Sequence, residues 1–243
     1  RNMPSNEQVK SKERVAQHGE VFTNDREVNA MLDLVKQETE RIESRFLEPA
    51  CGDGNFLVEI LKRKLEVVTK LYKKNPFDWE LYSIVALSSS YGVDIQEDNV
   101  QECRERLLNI WKKTYKKATK TEPDEDLIKT AKHILKHNIL CGDALTMLCN
   151  DGSPIIFAQW DLVIGSKIQR RDYRLDELIE GQEKVKGESF DEMSLFDFDD
   201  DNNIEYDSHP KDWIYDEETQ GYIPGPVKDD YPLVDYRRLK DYE

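Results

Sequence analysis

Residues 45–74 narrow the fold more than any other stretch of this chain. Arg45-Phe46-Leu47-Glu48-Pro49 is short, apolar at its centre and closed by proline, which predicts a strand entering a turn. The turn, Ala50-Cys51-Gly52-Asp53-Gly54-Asn55, carries two glycines. Behind it Phe56, Leu57, Ile60, Leu61, Leu65, Val68 and Leu71 keep helical spacing as far as Lys74. Strand, glycine-rich turn and helix together open a βαβ unit. Glycine lets backbone approach a ligand closely, and the start of the following helix offers unpaired amides.

The pattern repeats downstream. Pro76 marks the end of the first long helix, and Leu81 to Asp94 reads as a second buried strand ending at an acid. Asp98 can cap a third helix with Val100, Cys103, Leu107, Ile110 and Trp111 inward, and a lysine-rich connection with Pro123 follows. Leu127 to Lys136 predicts another helix, Asn138 to Gly142 a third strand and Trp160 to Gly165 a fourth. Upstream, Asn24 and Glu27 form a capping-box pattern, and Val28, Met31, Leu32, Val35 and Ile42 predict one helix to about Glu43. Strands alternating with helices predict an α/β fold with a mostly parallel central sheet, because parallel neighbours need crossover connections. The expected organisation is a polar arm over residues 1–19, an α/β domain over 20–180 and an irregular, extended acidic tail over 181–243.

Charge is distributed unevenly. The net charge is −15, and residues Asp172 to Glu243 hold 23 acidic against 8 basic side chains, so the whole excess lies there. A segment of that sign repels a phosphate backbone. No apolar run approaches the roughly 18 residues of a membrane span, no secretory signal is apparent, and Cys51, Cys103, Cys141 and Cys149 form no CxxC pair. These features predict a cytoplasmic protein in a reducing compartment, without a membrane partner.

The wording of the first turn carries further information. Leu47-Glu48-Pro49-Ala50-Cys51-Gly52-Asp53-Gly54-Asn55-Phe56-Leu57 resembles the S-adenosylmethionine-binding motif of the amino-methylating, adenine-N6 DNA methyltransferases of restriction–modification systems. Three other segments fall in that family's order. His18-Gly19-Glu20-Val21-Phe22-Thr23 resembles the motif that closes over the methionine part of the cofactor. Tyr91-Gly92-Val93-Asp94-Ile95 resembles the strand end whose acid holds the ribose hydroxyls, and Asn138-Ile139-Leu140-Cys141-Gly142-Asp143-Ala144-Leu145 the motif whose Asp meets the adenine. The resemblance spans residues 19–165 and implies a Rossmann-like methyltransferase fold. It also implies cofactor contacts from Thr23, Glu48, Ala50, Gly52, Asp53, Gly54, Asp94, Ile95, Asp143 and Ala144.

The family pattern fails after the fourth strand. Where a polar residue, two prolines and an aromatic ring are due, the chain reads Ser166-Lys167-Ile168-Gln169. Ser166 keeps one hydrogen-bonding position, and Tyr173 is the nearest ring that could replace the missing one; these two are the catalytic candidates. Base stacking on an aromatic side chain is worth roughly 1–3 kcal/mol, so its loss bears on base flipping. Lys167, Arg170 and Arg171 could hold DNA phosphates or form a solvated basic loop. The sheet is expected to be shortened after its fourth strand, and target recognition to come from a protein partner. Three functions remain open: a DNA adenine-N6 methyltransferase needing that partner, a non-catalytic cofactor-binding or interaction protein derived from one, and a methyltransferase for another acceptor. His133 and His137 stand four apart on a predicted helix with Cys141 four further, a spacing that can place two imidazoles on one metal. Cys141 falls in a strand, and His18 and His209 are remote in sequence, so no metal is expected.

Overall fold

The computed structural model describes residues 25–34, 36–178, 213–216 and 221–243. Three parallel strands form its centre: β1 (Phe46–Glu48), β2 (Ser90–Asp94) and β3 (Ile139–Asp143), with the two-residue β4 (Leu148–Cys149) antiparallel at the far edge. The register sets Leu47 beside Tyr91 and Asp94 beside Cys141. Glu48, Asp94 and Asp143 therefore all stand at the carboxyl ends of their strands. Helices α1 (Asp25–Asp33), α2 (Lys36–Thr39), α3 (Asn55–Tyr72), α4 (Pro76–Ser88), α5 (Glu97–Thr119) and α6 (Glu125–Asn138) pack around the sheet. The architecture is α/β with a mixed, mostly parallel sheet, compatible with a Rossmann-like fold.

The helix expected up to Glu43 is divided. The chain turns between α1 and α2, and Val28, Leu32, Thr39 and Ile42 all reach the core from the separate pieces. Asn24 and Val35 lie outside the described residues.

Leu81 to Leu87, expected as the start of a strand, is helical. Pro76 opens α4 instead of closing its predecessor, and Asn75 caps it by accepting a hydrogen bond from the Asp78 amide at 3.3 Å. Helix α4 buries Trp79, Leu81, Ile84, Val85, Ala86 and Leu87 on all sides. A helix covered all round leaves no amphipathic period, and such a run cannot be told from an interior strand by pattern.

The fourth strand also differs from expectation. β5 (Ile156–Ile164) pairs antiparallel with β6 (Lys167–Arg174), which pairs with β9 (Val234–Asp235) in a second sheet. Ile155, just before β5, donates its amide to Met147, past the carboxyl end of β3, whereas Asp161 further along meets Arg45, just before β1. β5 thus runs against the direction of β1 to β3. A 3-10 helix (Tyr236–Asp241) then lays Tyr236 and Leu239 into the core beside α6. Strands β7 (Trp213–Asp216) and β8 (Gly221–Pro224) form a separate hairpin.

Lys64 of α3 is fully buried. Its ammonium nitrogen donates to the Ser44 carbonyl and, at 2.6 Å, to Ser89 Oγ, and lies 5.1 Å from the Phe46 ring centre. Burial pushes its pKa down to about 7. The unfolded chain holds that proton to about pH 10.4, so between the two values only the unfolded state is protonated and stability rises with pH. Relative to Lys64→Met, the parent chain should gain about 2–3 kcal/mol between pH 7 and pH 9, at about 1.4 kcal/mol per pH unit. Urea denaturation of both proteins across that range measures the gain; a constant difference would show that Lys64 stays charged.

Candidate functional site

The turn after β1 is held by its neighbours. Cys51 donates its amide to the Val93 carbonyl at 2.9 Å, drawing the turn against β2, and Gly54 closes it by donating its amide hydrogen to the Cys51 carbonyl at 2.8 Å. Gly52 and Gly54 adopt φ of +53° and +89°, the left-handed region that favours glycine. Gly54 is the N-cap of α3 and has no side chain to occupy the helix's first amides, so these face the carboxyl edge of the sheet.

Asp94 ties turn and sheet together. One carboxylate oxygen accepts the Gly52 amide at 3.0 Å; the other accepts the Gln96 amide at 2.9 Å and Asn99 Nδ2 at 3.2 Å. A carboxylate offers about four acceptor positions, so capacity remains for a ligand hydroxyl. Asp53 is gripped by Arg106 of α5, which contacts its carboxylate and its carbonyl, each at 2.9 Å. Desolvation by burial raises the Glu48 pKa. Asp143 accepts the Leu145 amide at 2.8 Å. Beside these polar groups Ile95 and Leu145 are exposed, Leu145 at 92 %. The edge therefore combines acids, helix-terminal amides and bare apolar side chains, a set suited to a cationic ligand with hydroxyls and a flat ring.

Glu48, Gly52, Asp53, Gly54, Asp94, Ile95 and Asp143 are gathered at this edge, with Ala50 in the turn and Ala144 directly after β3. Thr23 and the His18 to Thr23 segment lie outside the described residues. Asn99 and Arg106 were not singled out from the sequence, although both share the α5 face of Cys103 at steps of four and three.

The catalytic candidates lie on the second sheet. Ser166 occupies the β5–β6 turn, where its hydroxyl donates to Asp235 at 2.6 Å and its carbonyl accepts the Tyr236 amide at 2.9 Å. Tyr173 is buried on β6 opposite Phe157. The basic stretch is strand, not loop. Arg170 is buried and forked onto Asp172 at 2.8 and 3.0 Å, Arg171 meets Asp161 at 3.3 Å, and Lys167 is exposed.

The chain is similar to a protein of Methanocaldococcus jannaschii named "Putative type II restriction enzyme and methyltransferase", with 28 % identity over 107 residues. The likeness covers 42 % of this chain and 8 % of that protein's length. No family model matches the chain, and no solved structure matches it. Among the described residues, no helix is long and apolar enough to cross a membrane.

Proposed function

We propose that this chain binds S-adenosylmethionine at the carboxyl edge of β1 to β3 and is the cofactor-holding part of a DNA adenine-N6 methyltransferase of the restriction–modification kind. The observation that carries the reading is the joined turn and strand end, with the Gly52 amide on the Asp94 carboxylate and Glu48 and Asp143 on the flanking strand ends. When bound, the cofactor supplies an activated methyl group on a sulfonium. Asp94 would accept a ribose hydroxyl from a position already fixed by Gly52, Gln96 and Asn99. Ile95 would cover one face of the adenine, with Asp143 and Ala144 at its rim. Glu48 and Asp94 give the edge the sign a sulfonium requires, the Asp53 charge being offset by Arg106. A site held this rigidly contributes by orientation more than by proton transfer.

Target recognition is expected from a protein partner. Ser166 is engaged by Asp235 and Arg170 is buried on Asp172, so DNA contact from this chain rests on the exposed Lys167 and on Arg171, which stays partly exposed beside Asp161. The same placement of Ser166 favours a second reading, a cofactor-binding protein without transferase activity.

Calorimetric titration with S-adenosylmethionine tests the shared premise. One molecule should bind per chain, and Asp94→Ala should weaken it at least about tenfold, since 1.4 kcal/mol of lost hydrogen bonding is a factor of ten. Failure to bind either this molecule or S-adenosylhomocysteine would sink both readings. Tritiated methyl transfer to mixed-sequence DNA, with and without the products of neighbouring genes, then separates them: incorporation supports the methyltransferase, and binding without incorporation the second reading.

A further inference from the structure

Three donors converge on the side of α6 that receives the end of the chain. His133 and His137 are one helical turn apart with ring centres 4.6 Å from each other, and Glu243 lies against them; one ligand atom from each falls within 4.8 Å of the others. His133 is 93 % buried, being 7 % exposed. The Nε2 atoms of both rings are buried, and neither has a hydrogen-bond partner among the described residues. Two orphaned imidazole nitrogens in one place are costly, because a buried polar atom without a partner forfeits about 1–3 kcal/mol. Trp160 walls the site, its ring centre 5.8 Å from His133 and 6.3 Å from His137.

We propose that His133, His137 and Glu243 bind one divalent transition-metal ion of the zinc class. Two imidazoles and a carboxylate are a borderline donor set that selects Zn2+, Co2+ or Ni2+ over Ca2+ or Mg2+. The pairing at i and i+4 directs both rings to one side of the helix. Cys141, the third donor suggested by sequence spacing, is instead on β3, where its thiol contacts Asn150 and the Ile95 carbonyl. Glu243 takes that place through the fold, carried back to α6 by the 3-10 helix.

Two neighbouring cations shape the site. Lys136 holds Glu243 at 3.0 and 3.2 Å, but its side chain is exposed and swings away when a metal takes the carboxylate. Arg170 reaches His137 Nδ1 at 3.3 Å. Metal at Nε2 puts the ring proton on Nδ1 and ends that contact, while Arg170 retains Asp172 and the Tyr242 carbonyl. The ion would clasp Glu243 and the 3-10 helix before it to α6, remote from the carboxyl edge of the sheet, so this inference stands apart from the cofactor reading.

The test uses the full chain after chelator treatment. Titration with Co2+ should give visible absorption that saturates at one equivalent, and Zn2+ should displace it. Glu243→Gln removes an exposed carboxylate without disturbing the core and should weaken Co2+ binding at least about tenfold, since even outer partners of metal ligands are worth 10–100-fold. His137→Gln should abolish the signal. No saturable absorption, or the same affinity in Glu243→Gln as in the parent chain, would overturn the proposal.

Discussion

Gly54→Ala should lower the unfolding free energy by about 2–5 kcal/mol and, with it, remove the proposed binding of S-adenosylmethionine. Two costs add. At φ +89° a side chain is strained, by roughly 1–2 kcal/mol for left-handed backbone, and the new Cβ would stand 2.6 Å from Cys103 Sγ and 3.3 Å from its Cβ. Inserting a methyl into a filled core costs about 1–3 kcal/mol. The collision is with α5, so the α3 terminus and the turn on Asp94 must shift to relieve it. Urea denaturation of Gly54→Ala, Cys103→Ala and the double variant separates the two causes. The double variant should be more stable than the sum of the single losses predicts, because the smaller residue 103 removes the collision and leaves only the strain. A Gly54→Ala chain within 0.5 kcal/mol of the parent would show that the turn relaxes freely and that its glycines serve no steric purpose.

Asp172→Ala should cost about 3–5 kcal/mol, the usual penalty for leaving a buried charge without its partner. Arg170 lies between the Trp160 and Tyr231 rings, 5.3 and 4.2 Å from their centres, with Asp172 as its carboxylate. Asp172 also accepts the Tyr231 hydroxyl at 2.9 Å, and its backbone pairs with Val227 and Lys228. Truncating the side chain therefore strands a cation and takes the acceptor from the Tyr231 hydroxyl, while the backbone bonds to Val227 and Lys228 remain. The double variant Arg170→Met/Asp172→Leu deletes both charges at similar volume and should lose far less than Asp172→Ala alone. Thermal and urea unfolding measure both; a double variant as unstable as the single one would mean the ion pair itself, and not the stranded charge, supplies the stability.

Around the first turn the order of elements was legible. Phe46 to Glu48 form a strand, Asn55 to Tyr72 a helix, and Ser90 to Asp94 and Ile139 to Asp143 the next parallel strands, because each rests on local signals: a proline stop, a glycine pair, a helical period, an acid closing an apolar run. The gathering of Glu48, Asp94 and Asp143 follows from parallel pairing alone, since parallel strands bring like ends together. Helix α4 was not legible, because burial on every side erases the polar face that marks a helix. Arg170 read as a phosphate contact because charge in sequence is blind to burial; Asp172, two residues on along the same strand face, claims it.

By itself the sequence determined the βαβ opening, the glycine-rich turn in it and the acids at the strand ends. These depend on neighbours within a few residues or on strand direction. Only the tertiary structure decided that β5 runs against the sheet and sets Ser166 on Asp235, that Arg106 grips Asp53, and that Glu243 returns to His133 and His137. The contacts of Ser166, Arg106 and Glu243, and that of Asp161 with Arg45, join residues from 53 to 116 positions apart in the chain, where no periodicity or spacing carries information and packing alone selects the partner.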